Sequence, residues 1–82
     1  MNTLEEVLYD SYKYRIEYAY YLTLVDILMG VSSQEIISEI QAYEDTENYE
    51  YCAGIQKAIE FSDNKNYSDI QKEIIKLKDT YE

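Results

Sequence analysis

Residues Tyr18 to Met29 read YAYYLTLVDILM. Only Thr23 and Asp26 interrupt the apolar run. Aromatic and β-branched residues suit a strand as well as a helix. The upstream sequence decides for helix. Leu4, Val7 and Leu8, then Tyr12, Ile16 and Ala19, recur at helical spacing. Thr3 and Glu6 form an S/T-x-x-E capping box at their head. No glycine or proline separates the two parts, so one helix runs from Thr3 to Met29, and Gly30 terminates it. A helix that is apolar on every side is buried. Its second half is therefore either the central post of the domain or covered by a second copy of the chain, and a homodimer through Tyr18–Met29 is the oligomer the sequence allows.

Three further helices follow. Ser32 with Glu35 caps a second helix, with Ile36, Ile37, Ile40 and Tyr43 as its apolar stripe. The stripe loses its period near Asp45–Thr46, where the chain turns. Cys52, Ile55 and Ile59 mark the core face of a third helix. Gly54 lies inside it at a cost of up to about 1 kcal/mol relative to alanine, and a close helix crossing is the ordinary reason for such a glycine. Ser62 to Asn66 is a turn-type loop. Ser68, with Gln71 in the box position, caps a fourth helix whose stripe is Ile70, Ile74, Leu77 and Tyr81. The expectation is an all-α fold: a single domain over residues 1–82, built as a bundle of about four helices spanning 3–29, 32–43, 47–61 and 68–81.

The chain has 82 residues, one cysteine and no histidine. A domain this small buries only about 60% of its unfolded surface, and a lone Cys52 provides no staple. The missing histidine removes the commonest general base and metal ligand together. The acidic N-terminus MNTLEEVLYD does not read as a signal peptide, and no run reaches the ~20 apolar residues of a membrane helix. These features point to the cytoplasm, that of a host cell if the protein is phage-encoded.

The formal net charge is −10, and it is unevenly placed. Residues 17–56 hold eight acids and no base, whereas the flanks are nearly balanced. Its densest part is Ala42 to Tyr51, AYEDTENYEY. A field of one sign repels nucleic acid and anionic membrane and steers toward a basic partner. Eleven tyrosines are too many for so small a core, because each buried hydroxyl needs a partner. An AT-rich base composition would raise tyrosine, but it would raise lysine with glutamate; eleven Glu against six Lys show that the acidity has another origin.

Catalysis needs a pocket and a carboxyl with a raised pKa, and these acids fall on outer faces or in turns. No enzyme activity, catalytic residue or cofactor is expected. Asp45-Thr46-Glu47 lacks the glycine and closing glutamate of a calcium loop, so no specific metal site is expected. The short Tyr12-Lys13-Tyr14-Arg15 run is too sparse to bind nucleic acid directly.

The remaining chemistry is charge imitation. Along a straight helix, the six acids from Glu35 to Glu50 would fall about one per ~4 Å at a rise of ~1.5 Å per residue. One DNA strand carries one charge per ~3.4 Å, and a duplex one per ~1.7 Å. Tyrosines between the acids would lie against arginine and lysine stems. The expected partner-binding set is Glu35, Glu39, Tyr43, Glu44, Asp45, Glu47, Tyr49, Glu50 and Tyr51.

In size, charge, tyrosine content and lack of catalytic residues, the chain resembles the small acidic proteins that phages encode to block host defences: nucleic-acid mimics and anti-CRISPR-type inhibitors. No motif carries the resemblance. It implies stoichiometric binding to a basic nucleic-acid-binding protein, such as a CRISPR or restriction effector, by mimicry or by blocking assembly. Two rival readings stand beside it. One is an interaction module (immunity protein, antitoxin or adaptor) working through an apolar helix face. The other is a protein that sequesters a small ligand such as a nucleotide between Lys13, Arg15 and nearby tyrosines.

Overall fold

A computed structural model describes residues 3–81, with side chains described for 11–80. It contains four helices: α1 (Thr3–Leu28), α2 (Ser33–Asp45), α3 (Tyr49–Ser62) and α4 (Tyr67–Tyr81), and no strand among the described residues. The all-α expectation holds. The Thr3–Glu6 box, the apolar positions Leu4, Val7 and Leu8, and the Tyr81 side chain lie outside the described side chains.

The helices alternate in direction. Tyr43 of α2 stacks on Tyr51 of α3, and Ile36 and Ile59 line one cavity. Tyr20 of α1 bonds Glu73 of α4, and Ile27 and Ile70 line another cavity. α1 and α3 run in the same sense and form the tightest pair, while α2 docks chiefly on α3 and α4 on α1.

Gly54 explains the tight pair. A Cβ there would collide with the Ile16 carbonyl oxygen, and it would lie 2.6 Å from Ala19 Cβ and 2.9 Å from Tyr20 N. Small residues on both helices let the backbones approach, which is the close crossing expected from the sequence. The Tyr18–Met29 run supplies much of the core. Ala19, Tyr20, Tyr21, Thr23 and Leu24 are buried, whereas Leu22 and Met29 are exposed. Tyr20 and Leu24 pack with Ala58 and Ile70, and Phe61, Ile74 and Leu77 close over them. Leu24 is fully buried, so its truncation to alanine would cost about 2–5 kcal/mol. The central post is thus covered largely by α3 and α4 of the same chain.

Several local expectations are corrected. α2 continues to Asp45, two residues beyond the expected Tyr43. Asn66, not Ser68, caps α4: its Oδ1 accepts from Asp69 N at 2.9 Å, and the helix begins at Tyr67. Either residue suits the cap position; the asparagine comes first and moves the cap two residues earlier. Ile37 is 51% exposed, while Ile36 is buried and Ile40 and Tyr43 are half-buried. Positions 36, 40 and 43 share one helix face, and residue 37 is turned away from it. Tyr12 is likewise exposed, because it precedes the level at which α3 begins. Ser32 does cap α2, accepting from Glu35 N at 3.2 Å.

Candidate functional site

The α2–α3 connection sets the geometry of the acidic segment. Asn48 N donates to Tyr43 O at 2.8 Å, and Glu47 N donates to Glu44 O at 3.0 Å. This pair of bonds is the Schellman closure, which needs a left-handed residue between the helix end and the next turn. Glu47 occupies that position with φ of 61°, the one non-glycine residue with positive φ among those described. Thr46 Oγ1 accepts from Asn48 Nδ2 at 2.8 Å, which draws the asparagine side chain away from capping α3. The chain therefore reverses within Thr46–Asn48. Glu44, Asp45 and Glu47 stand exposed at the corner, with Glu35 and Glu39 farther back along α2.

The structure divides the expected contact set. Glu35, Glu39, Glu44, Asp45 and Glu47 are exposed, and so is Tyr49. Tyr43 and Tyr51 are half-buried and stack on each other, ring centroids 5.1 Å apart. Glu50 turns back toward α1, where its Oε1 lies 2.9 Å from Arg15 Nε. The contact is an ion pair out of hydrogen-bond alignment, and the Arg15 Nε–H has no hydrogen-bond partner. At the other end of the base-free zone, Lys57 Nζ lies 2.8 Å from Glu17 Oε1. The zone is free of bases in sequence, but its two ends are neutralised in space by residues just outside it. Arg15 also lies over the Tyr12 ring at 5.5 Å.

Six of the eight carboxylates remain: Asp26, Glu35, Glu39, Glu44, Asp45 and Glu47. No salt bridge to any of them is present among the described residues. Asp26 belongs to this face although it comes from α1. Desolvation first, then the charges of Asp26 and Glu35, hold the Glu39 carboxyl above its ordinary value. Burial and then the nearby Glu44 charge push the Cys52 thiol up, which keeps it protonated and unreactive. Asp26 stood in the sequence as the one charge in an apolar run; a charge there at helical spacing was the available signal that one side of that run faces outward.

Between α1 and α2 lies a cavity of about 150 Å³. Asp26 and Glu39 line it together with Leu22, Thr23, Tyr43 and Tyr51. A second cavity of about 190 Å³ is lined by Ile27, Val31, Ile36, Ile37 and Ile59 together with Ser33, Ser62 and Asp63. No group of three or more potential metal-ligating side chains occurs among the described residues, and no helix among them is long and apolar enough to cross a membrane. No known protein family, curated protein or solved structure matches the chain.

Proposed function

We propose that this protein is a non-enzymatic inhibitor. It binds a basic, nucleic-acid-binding protein through the carboxylate face of α1, α2 and the α2–α3 corner, and blocks access of the nucleic acid. The supporting observation is that six carboxylates of residues 17–56, from Asp26 to Glu47, lack a basic partner among the described residues. Such a surface raises the self-repulsion of the folded chain and is relieved by a cationic surface. From Glu35 to Asp45 four acids span about 15 Å of helical rise, roughly one per 4 Å, close to the charge spacing of a single nucleic-acid strand.

Glu47 adds to this. A non-glycine residue in the left-handed region costs about 1 kcal/mol. Retaining a carboxylate there fits a role for its charge at the projecting corner. A phage or mobile-element inhibitor of a CRISPR or restriction effector fits this description. The partner would meet the protein quickly and lose affinity steeply with salt, because exposed charges are screened over about 8 Å at physiological ionic strength.

The test is whether a host protein captured by this chain is displaced by nucleic acid. Mutual exclusion between the protein and DNA or RNA on the captured partner supports the reading; simultaneous binding overturns the occlusion it describes. An interaction module using an apolar face is the second reading. It rests on the exposed Met29 and Ile37 and on the isoleucine-rich cavity that Ile37 borders, and it predicts binding that survives high salt.

A further inference from the structure

The groove between α1 and α2 joins three features. Its floor is apolar, with Ala19 and Ile55 buried and Leu22 exposed beside them. Tyr43, on its wall, is stacked on the other tyrosine, Tyr51. Two carboxylates, Asp26 and Glu39, come from different helices and interact electrostatically without a salt bridge among the described residues. Thr23 also lines the groove. It is 3% exposed. A repelling carboxylate pair is costly without a cationic partner.

One chemical group answers all of these. The stem of a long cationic side chain covers an apolar floor while its head stays polar. A planar guanidinium stacks on an aromatic ring and donates to carboxylate and hydroxyl oxygens from a rigid fork; an ammonium does neither as well. A cavity of about 150 Å³ takes one side chain rather than a free nucleotide.

We propose that the α1–α2 groove, formed by Leu22, Thr23, Asp26, Glu39, Tyr43 and Tyr51, is a socket for a single arginine side chain of the partner protein. This rests on the reading of a basic partner given above and names the part of the face that fixes it in register. The exposed acids at the corner steer the partner, and the socket holds it.

The test is an NMR titration of the isotopically labelled full chain with hexa-arginine and with hexa-lysine at low salt. Three variants are compared: Asp26→Asn with Glu39→Gln; Glu44→Gln with Asp45→Asn and Glu47→Gln; and Tyr51→Leu. The expected result is saturable binding of hexa-arginine, with shifts concentrated at Thr23, Asp26, Glu39, Tyr43 and Tyr51. The groove pair then lowers affinity by about tenfold or more, the size of one lost charge-assisted hydrogen bond. The corner triple, although it removes one charge more, lowers it less. Tyr51→Leu weakens hexa-arginine more than hexa-lysine. Shifts scattered over all acids, with losses that follow only the number of charges removed, overturn the socket and leave the acidic-face reading standing. A localised socket in a chain that captures no basic protein supports the socket and overturns that reading instead. No binding of hexa-arginine overturns both.

Discussion

Glu47 occupies at the end of α2 the position that Gly30 occupies at the end of α1. In both turns the left-handed residue donates to the carbonyl three residues back, at 3.0 Å for Glu47 and 3.1 Å for Gly30. The residue after it donates to the carbonyl five back, at 2.8 Å for Asn48 and 3.0 Å for Val31. Glycine carries no Cβ penalty there, and glutamate does. Glu47→Gly is therefore expected to raise stability by about 1 kcal/mol, read from chemical denaturation, while weakening binding to a basic partner. Gly30→Ala, with φ of 87° and open space around the added Cβ, is expected to cost about as much through backbone strain alone.

Gly54→Ala separates helix propensity from packing. Propensity alone would make it stabilising by up to about 1 kcal/mol. The added methyl would meet backbone atoms of Ile16 and Tyr20, which cannot rotate away as a side-chain tip can. Overpacking of this kind costs about 1–3 kcal/mol, so the net change is a lower melting temperature. An unchanged or raised melting temperature would show that α1 and α3 separate more easily than the packing implies.

Tyr20 is buried with its hydroxyl donating to Glu73 Oε2 at 2.6 Å. Lys57 Nζ lies 4.6 Å from the ring centroid. Burial first, then the hydrogen bond to Glu73, raises the phenol well above its ordinary value. The protonated phenol is thus favoured in the folded state. Its contribution is fully present below the unfolded value of about 10 and is lost as pH rises through the folded value. Tyr20→Phe is expected to cost about 1.5–3 kcal/mol at neutral pH, as for a bond to a charged acceptor. The difference from the unsubstituted protein should shrink above about pH 10, in thermal melts taken across the alkaline range.

Glu39 works in the opposite sense. Its carboxyl is raised by partial desolvation and then by Asp26 and Glu35, so ionising it costs stability at neutral pH. The cost is fully present above the folded value and disappears as pH falls toward the unfolded one. Glu39→Gln is expected to stabilise at about pH 7 by a few tenths of a kcal/mol, as for one relieved like-charge pair on an exposed helix face. The gain should vanish near about pH 4.

The helical fold was legible because its signals were local. The Ser32 cap, the period of Ile70, Ile74 and Leu77, and the terminating Gly30 each act within one or two turns. The function of Gly54 was legible because a mid-helix glycine has few other uses. What the sequence did not disclose was tertiary. Arg15 and Lys57 flank the base-free zone in sequence, and only the α1–α3 packing carries them back to Glu50 and Glu17. Docking of α1 and α2 on α3 brings Asp26 beside Glu39, thirteen positions apart by number and on different helices. The split of the tyrosines into a buried Tyr20 and Tyr21 and exposed Tyr12, Tyr14, Tyr49 and Tyr67 was equally hidden, because one residue type serves both environments.

The central claim is that a carboxylate face, rather than an apolar one, makes the functional contact. It is tested by immobilising the protein and measuring retention of host nucleic-acid-binding proteins at about 0.05 M and about 0.3 M salt, where the screening length falls from roughly 14 Å to roughly 6 Å. The unsubstituted chain is compared with Glu44→Gln/Asp45→Asn/Glu47→Gln and with Met29→Ser/Ile37→Ser. Expected are retention at low salt, sharp loss at high salt, loss in the charge-neutralised variant and little change in the Met29/Ile37 variant. Salt-independent retention that survives neutralisation and disappears with Met29→Ser/Ile37→Ser would contradict the claim.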